Sequence, residues 1–372
     1  MASFATMKKT SQFVLALLFS LIVLDAFVIR AGIKFLDTEP DRNPISDAPG
    51  SYIPKVEHPQ NTPMIPIPLA QLAQSNLAMN ISCPDGFLPI LDTIHTTSNI
   101  SSRKIPRTVH ITSKSRCATP KVHKIVDQWR FSSHSLYFHD DDAIERLTSH
   151  PLSQASFPIL NETLKCVTNG ATKSDLWRYL VLYTYGGIYS DIDNLPMGFK
   201  GDTIQDSDDA FFVMEGLGIM SQFFMASSPS HPLMKASLES GMESLRRTVN
   251  VMRNNPAKTT GPAALKNGFI AFMNGTSDGY IEEGRYVGLD NQSVTVVGRK
   301  SNSRQYVDRE GLDAGSKSEY YKAMGMEHFH DTNRHPSKGR ISCMEHLKLS
   351  NGTNKVANYV FDGEKYVDVG LA

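Results

Sequence analysis

Cysteine is scarce in this chain, with four in 372 residues. That is too few for a disulfide scaffold, and no Cys-x-x-Cys pair offers a zinc ribbon or a dithiol redox site. Net charge is missing as well, since 38 Lys and Arg balance 38 Asp and Glu. A general nucleic-acid binder normally carries a basic surplus, so that class is set aside. There is no internal repeat, and no low-complexity tract beyond one proline-rich stretch. What remains is ordinary globular composition, 40% hydrophobic. The length suits two small domains or one large one, enough to bury a sizeable core.

The first apolar run, Phe13 to Leu24, is broken only by Ser20 and follows Lys8 and Lys9; after Asp25 it resumes to Ile29. As a helix, 13–29 would be roughly 25 Å long, a little short of a ~30 Å hydrocarbon core. Lysines on the short flank place that end in the cytoplasm. A cleaved signal peptide is the competing reading, but no clean small-x-small cleavage pair follows Leu24. The expectation is a single-pass type II anchor (13–29) behind a cytoplasmic tail (1–12), with everything after it lumenal. Asn-x-Ser/Thr triplets at Asn80, Asn99, Asn161, Asn274, Asn291 and Asn351 agree with lumenal exposure. Cys83, Cys117, Cys166 and Cys343 could then pair in any of three ways.

Eight of the twenty prolines lie between Pro40 and Pro68, which predicts an extended stalk. Residues 71–100 read as more stalk or as a cap, so 30–104 is assigned to stalk and cap together. From Ile105 the texture changes. Ile105–Thr112 reads as a strand, Lys121–Phe131 as a helix, Ser135–Phe138 as a strand, and Asp140–Glu145 as a helix start. Alternating strands and helices predict an α/β domain with a largely parallel sheet over 105–372.

The segment Asn169–Pro196 carries the chemistry. Thr172 with Asp175 three residues on predicts a capping-box helix start. Leu176, Tyr179, Leu180 and Tyr183 recur at helical spacing, and Gly186-Gly187 ends the helix because glycine takes the left-handed conformation without steric cost. Ile188-Tyr189-Ser190 follows as a short strand, with Asp191 and Asp193 at its carboxyl end, where open α/β sheets bind ligands. If the strand continued regularly, both carboxylates would project to one face and approach a single hard cation such as Mn²⁺ or Mg²⁺. Such an ion could neutralise a departing diphosphate. Asp-x-Asp also occurs at Asp140/Asp142 and Asp206/Asp208. The first stands at a helix start, where acids suit the macrodipole, and the last in a polar loop; both are read as structural. Trp177 and Tyr189 are read as core aromatics, and Asp175 and Arg178 share one helix face at i, i+3.

Ser174–Asp193, with Ile105-Pro-Arg-Thr-Val-His110 before it and Thr260-Gly-Pro262 after, resembles the sugar-binding region of the DXD glycosyltransferase family. That family includes the initiation-specific and inositol-phosphoceramide mannosyltransferases. The resemblance implies a Rossmann-like glycosyltransferase fold of the A type, Golgi type II topology, a divalent metal and retention of anomeric configuration. By position it implies that Asp193 is the direct metal ligand and Asp191 contacts the donor ribose and the metal shell. Asp175 and Arg178 would hold the donor sugar and its phosphates; His110, which closes the Ile105–His110 match, is carried as a substrate-binding candidate beside a structural reading. A family histidine motif would fall at His328-Phe-His330 and makes His328 and His330 candidate metal ligands, but here Thr332-Asn-Arg-His335 follows in place of Gly-Ser-Trp. The Thr-Trp pair that commonly follows the family's first strand is also absent, since Ile111-Thr-Ser-Lys114 has no tryptophan. Glu215, Ser221 and Gln222 fall in a region that often faces acceptor or sugar.

The expected activity is metal-dependent transfer of a hexose from a nucleotide-sugar to a hydroxyl of a lumenal glycan or glycolipid. Mannose from GDP-mannose is favoured by the named relatives alone. Two other classes are weighed. One is a non-catalytic glycan-binding protein on the same fold. The other is an Asp-x-Asp phosphatase, which the long helix and double glycine before Asp191, and the lack of Thr or Val after Asp193, argue against.

Overall fold

The computed structural model describes residues 67–73, 82–95 and 102–325, with short breaks at 168, 216–217, 249–253 and 299–302, and also 342–343, 359–361 and 366–368. The expected anchor and most of the stalk lie outside the described residues. Among the described residues no helix is long and apolar enough to cross a membrane.

A seven-stranded sheet organises the unit. Its strands are β1 (Thr108–Thr112), β2 (Ser135–His139), β3 (Gly187–Asp191), β4 (Ala210–Glu215), β5 (Ile219–Ser227), β6 (Gly284–Val287) and β7 (Ser293–Val297). The order is β2-β1-β3-β5-β4-β7-β6. β1 pairs in parallel with β2 and β3, and β7 with β4, whereas β5 and β6 run against their neighbours. Five strands therefore point one way, the mostly parallel sheet that the alternating pattern predicts. The helices that bear on the site are α1 (Pro120–Asp127), α2 (Asp141–Ser149), α3 (Gly170–Tyr185), α4 (Pro232–Arg246), α5 (Pro262–Phe272) and α6 (Ala314–Ala323).

Strand periodicity splits the apolar side chains into two cores. Tyr189, Phe212, Met214, Met225 and Val296 join Leu176, Tyr179 and Leu180 of α3 and the buried faces of α4 and α5. Ile188, Phe211, Val213 and Phe224, one residue out of step, join Val122 and Val126 of α1, with Trp129 and Phe199. Alternate residues of one strand serve opposite faces, and each fully buried large side chain contributes roughly 1.5–3 kcal/mol. Because α3 packs on the Tyr189 face, every i+2 neighbour of Tyr189 faces α3 too.

The α3 helix begins earlier than the capping-box pattern predicts. Asn169, not Thr172, is the N-cap: its Oδ1 accepts from the Thr172 amide at 2.8 Å. Thr172 is buried, and its hydroxyl accepts from Asn254. Asp175 thus sits a full turn inside the helix, free of capping duty. The carboxyl end follows the glycine rule: Gly186 (φ 65°) caps on Leu182, and Gly187 (φ 100°) opens β3. A Cβ on Gly186 would stand 2.6 Å from Pro229 Cδ, and one on Gly187 2.7 Å from the Thr108 carbonyl. Both the dihedrals and the space require glycine here.

Part of the region read as stalk or cap packs on this unit. Leu72 and Ile90 are buried, the Ile67 carbonyl accepts from the Tyr185 hydroxyl, and Asp92 pairs with Arg116 at 3.1 Å. Disulfides join Cys83 to Cys117 and Cys166 to Cys343, which selects one of the three open connectivities.

Candidate active site

The carboxyl ends of β1, β3 and β4 meet at one edge of the sheet, with Thr112 and Asp191 facing each other in register. Asp191 lies on the Tyr189 face and therefore meets α3. Arg178 Nη2 stands 3.2 Å from Asp191 Oδ1 and 3.4 Å from Asp175 Oδ1. The Tyr189 hydroxyl donates to the same Asp191 oxygen at 2.9 Å, and its ring lies 4.9 Å from the Arg178 guanidinium carbon. Arg178 is fixed further by the Gln222 carbonyl at 2.9 Å and the Ser174 carbonyl at 3.2 Å. Asp175 accepts from Gln222 Nε2 at 2.7 Å and from Thr260 Oγ1 at 2.8 Å. Two carboxylates thus bracket one guanidinium, and each has further donors, as a buried charge requires.

The titration tendencies follow from this packing. Burial raises Asp175 above the usual carboxylate range, and Arg178, Thr260 and Gln222 only partly offset it. Burial also pushes Asp191 up to about 6, opposed by Arg178 and reinforced by the charge of Asp193. For Arg178, burial disfavours the charged form, but Asp191, Tyr189 and Asp175 outweigh it and raise the guanidinium.

β3 does not continue past Asp191. The Asn194 amide returns to the Asp191 carbonyl at 3.2 Å, a turn that places Asp193 away from the regular strand alternation. Asn194 locks this turn: its Nδ2 donates to Ser190 Oγ at 3.1 Å and to the Phe223 carbonyl at 2.7 Å, while its own carbonyl accepts from Trp129 Nε1 at 2.9 Å. Asp193, only 8% exposed, forms an ion pair through Oδ2 with Lys317 Nζ of α6. The two acids are therefore met by cations from two different elements. Tyr321, on the same helix, is raised by burial and by the charges of Asp193 and Asp191.

Several sequence-derived assignments change here. His110 is fully buried; its Nδ1 lies 3.0 Å from His139 Nε2 and its Nε2 2.9 Å from the Gly186 carbonyl. With both ring nitrogens engaged inside the protein it is a structural residue, a correction to its substrate-binding assignment. Burial lowers it to about 4, so the imidazole is neutral at pH 7. Tyr189 is a core aromatic as expected, but its hydroxyl also holds Asp191, a role the strand pattern did not show. His328 and His330 lie outside the described residues. Of the acceptor-side residues, Gln222 joins the site, Ser221 Oγ turns inward to the Phe224 carbonyl at 2.7 Å, and Glu215 pairs with Arg309 at 2.6 Å. Lys317 carries no sequence signal: it lies 124 positions beyond Asp193 on a largely polar helix.

Residues 113–210, from the end of β1 to the first residue of β4, match the family described as the glycosyltransferase sugar-binding region containing the DXD motif. A 96-residue segment is 33% identical to the initiation-specific alpha-1,6-mannosyltransferase of Schizosaccharomyces pombe. That match covers 25% of this chain and 24% of the relative, so the chain spans about a quarter of the length of the curated relative it matches. Among solved structures, the PaToxG glycosyltransferase aligns over 66% of this chain and 83% of its own, at 15% identity and a TM-score of 0.33. The stretch 113–210 is thus similar to the sugar-binding region of DXD glycosyltransferases, and Asp191-Ile-Asp193 lies within it.

Proposed function

We propose that the chain is a metal-dependent hexosyltransferase that moves a sugar from a nucleotide-sugar to a hydroxyl, with GDP-mannose as the favoured donor and a glycan or glycolipid as acceptor. The observation that carries this reading is the Asp175–Arg178–Asp191 network with Asp193 beside it, at the carboxyl edge of the sheet and inside the matched region. A phosphatase nucleophile is disfavoured, because Asp191 is engaged by both Arg178 and Tyr189.

The donor set fits a small hard cation. Two carboxylates close in sequence supply hard oxygens, Asp193 already draws a cationic ammonium, and ions of this kind take one or two carboxylates plus phosphate oxygens. Among the described residues no third His, Cys, Asp or Glu joins them. Asp193 and Asp191 would hold the ion, and when bound it offsets charge on the departing diphosphate. Arg178, preset by four protein contacts, stabilises the same developing charge without reorganising, which is the economical form of electrostatic catalysis. Asp175 is oriented by Gln222 and Thr260, and a carboxylate's remaining lone pairs can accept from sugar hydroxyls. Retention is proposed with attack from the leaving-group face, because neither Asp175 nor Asp191 is free to act as a covalent nucleophile. Trapping of a glycosyl-enzyme adduct would exclude that route.

A Golgi-lumenal placement with an N-terminal anchor is part of the same proposal. It is supported by two disulfides, which persist in oxidising compartments, and by the exposure of Asn161, Asn274 and Asn291. The direct test of function is a panel of nucleotide-sugars incubated with the chain and Mn²⁺, reading release of nucleoside diphosphate. Mn²⁺-dependent release from one donor is expected. No release from any, with or without acceptor sugars, leaves a glycan-binding protein.

A further inference from the structure

The segment carrying β-bridge residues Val307–Asp308 and then α6 runs across the sheet edge that holds the DXD motif. It brings cations to acids at the carboxyl ends of two strands that flank β5: Arg309 to Glu215 at the end of β4, and Lys317 to Asp193 after β3. Gly311 packs so close beneath Asp193 that a Cβ there would stand 3.2 Å from the Asp193 carbonyl and 2.6 Å from Leu195 Cβ. The helix is well anchored. Asp313 caps it through Ser316, Lys121 of α1 donates to Ser316 Oγ at 2.6 Å, and the buried Tyr320 shares a hydrogen bond of 2.7 Å with Ser113 just past β1. Tyr320 stands three residues after Lys317, so both lie on one helix face. Docking Tyr320 against the end of β1 therefore directs Lys317 at Asp193. Its side chain is only 28% exposed, and that of Asp193 12%.

Charge counting sets the problem. Asp175, Asp191 and Asp193 face Arg178 and Lys317, three negative charges against two positive. A divalent ion added beside Lys317 would leave a net positive cluster, and the ion and the ammonium would share one carboxylate. Like charges at such separations repel strongly in a partly buried setting. A donor diphosphate changes the balance, because it adds negative charge next to both cations. Lysine suits a moving contact: its ammonium is a point charge on a flexible stem, not a planar fork fixed to one partner.

We propose that Lys317 is a donor-binding residue: it neutralises Asp193 while the site is empty, competes there with the divalent cation, and transfers to the diphosphate when cation and nucleotide arrive together. This rests on the transferase reading above and adds an order to it, with the cation binding well only as the nucleotide complex. The competition is between two cations for one oxygen set, so removing Lys317 has effects of opposite sign on its two partners.

The test measures two affinities on the whole chain, its Lys317→Gln and Lys317→Arg forms, and Asp193→Asn. Mn²⁺ alone is titrated by electron paramagnetic resonance, and GDP and UDP are titrated by calorimetry at saturating Mn²⁺. Lys317→Gln is expected to bind Mn²⁺ alone roughly tenfold more tightly and the nucleotide roughly tenfold more weakly, the effect of one charge at a shared site. Lys317→Arg, which keeps the charge but not the flexible point-charge head, should lie closer to wild type than Lys317→Gln in both. Two unchanged affinities, or two that weaken in parallel with stability, make Lys317 a structural ion pair and overturn the inference while leaving the transferase reading in place. Failure of every form to bind Mn²⁺, or binding that Asp193→Asn does not reduce, removes the transferase reading and the inference with it.

Discussion

Two acid pairs of the same spelling end two strands of the same sheet. After β2, Asp140-Asp141-Asp142 leads straight into α2; after β3, Asp191-Ile192-Asp193 leads into a turn. Asp140 Oδ1 accepts from the Ala143 amide at 2.9 Å as an N-cap, and its other oxygen lies 3.6 Å from Arg116 Nε. Its charge is consumed by a helix start, which welcomes an anion. Asp191 and Asp193 have no helix to cap, and the charges that meet them come from side chains on other elements, Arg178 and Lys317. A third pair is also engaged by neutral donors: Asp208 accepts from the Gln205 amide and the Thr295 hydroxyl, and Asp206 from Ser102. The difference lies not in the motif but in what the backbone does next.

The sharpest way to break this comparison is to neutralise one acid of the candidate site. Asp193→Asn keeps shape and size, and its fold should hold. Turnover of the donor is expected to fall on the order of 10²–10³-fold, the scale seen when one preorganised electrostatic contact is removed. Steady-state release of nucleoside diphosphate measures this, with a thermal melt as control. Turnover near wild type in a folded variant would falsify the assignment.

The ground between the two pairs is structural, and acid exposes it. His110 on β1 and His139, which directly precedes Asp140, form a buried imidazole pair. Burial lowers His110 to about 4, and His139 falls well below its ordinary value through burial, with His110, Arg116 and Arg146 adding to the effect. His134 and His231 are likewise lowered to about 4 by burial. At these four histidines, which are near 6.5 when unfolded, the unfolded chain binds more protons than the folded one between pH 6.5 and 4, so their contribution to stability rises with pH across that window, while Asp191, raised to about 6, contributes with the opposite sign. The histidine contribution is fully present above about 6.5 and declines toward pH 4, by at most about 1.4 kcal/mol per pH unit for each histidine. Urea midpoints from pH 8 to 4, compared between the wild type and a His110→Gln variant, measure the slope these rings add, and identical slopes would show that His110 stays accessible to protons in the native state.

Much of this was legible from sequence because it depends on local rules. Gly186-Gly187 announces the end of α3, and the apolar Ile188-Tyr189 announces β3, since both express dihedral and burial preferences that need no distant partner. Asp191 against Asp140 was separable for the same reason, one following a strand and double glycine and the other opening a helix. Long-range partners were not legible. Asp175 looked like a capping residue until Asn169 took that place, and His110 stayed between a structural and a substrate-binding reading until His139 and the Gly186 carbonyl closed on it. Lys317 reaches Asp193 only because Tyr320 docks near the end of β1, a contact spanning 207 positions between Ser113 and Tyr320. Periodicity carries no information about such a meeting.

A smaller effect separates the capping acid from its counterpart at the candidate site. Asp140→Ala removes the α2 cap and one partner of the buried Arg116, which keeps Asp92 at 3.1 Å and the Phe138 carbonyl. A loss of about 1–2 kcal/mol is expected, at the upper part of the range for cap deletions. Turnover per folded molecule should not change. Denaturant melts beside active-site titration read the two separately, and a drop in turnover at constant fold would extend the site across β1 toward β2.

The least effect belongs to Asp142, the second member of the Asp140 pair and the positional counterpart of Asp193. It is exposed on the first turn of α2 and faces the positive end of that helix. Asp141 beside it already pairs with Lys173 at 3.1 Å, and a charge near a helix N-terminus contributes about 0.3–1 kcal/mol at low salt. Asp142→Asn should therefore cost no more than about 0.5 kcal/mol, fade further in 0.5 M NaCl as screening removes the dipole contribution, and leave Mn²⁺ affinity untouched. The same substitution at Asp193 is expected to abolish that affinity. If the two variants behaved alike in a Mn²⁺ titration, the turn after β3 would not be what distinguishes one Asp-x-Asp from the other.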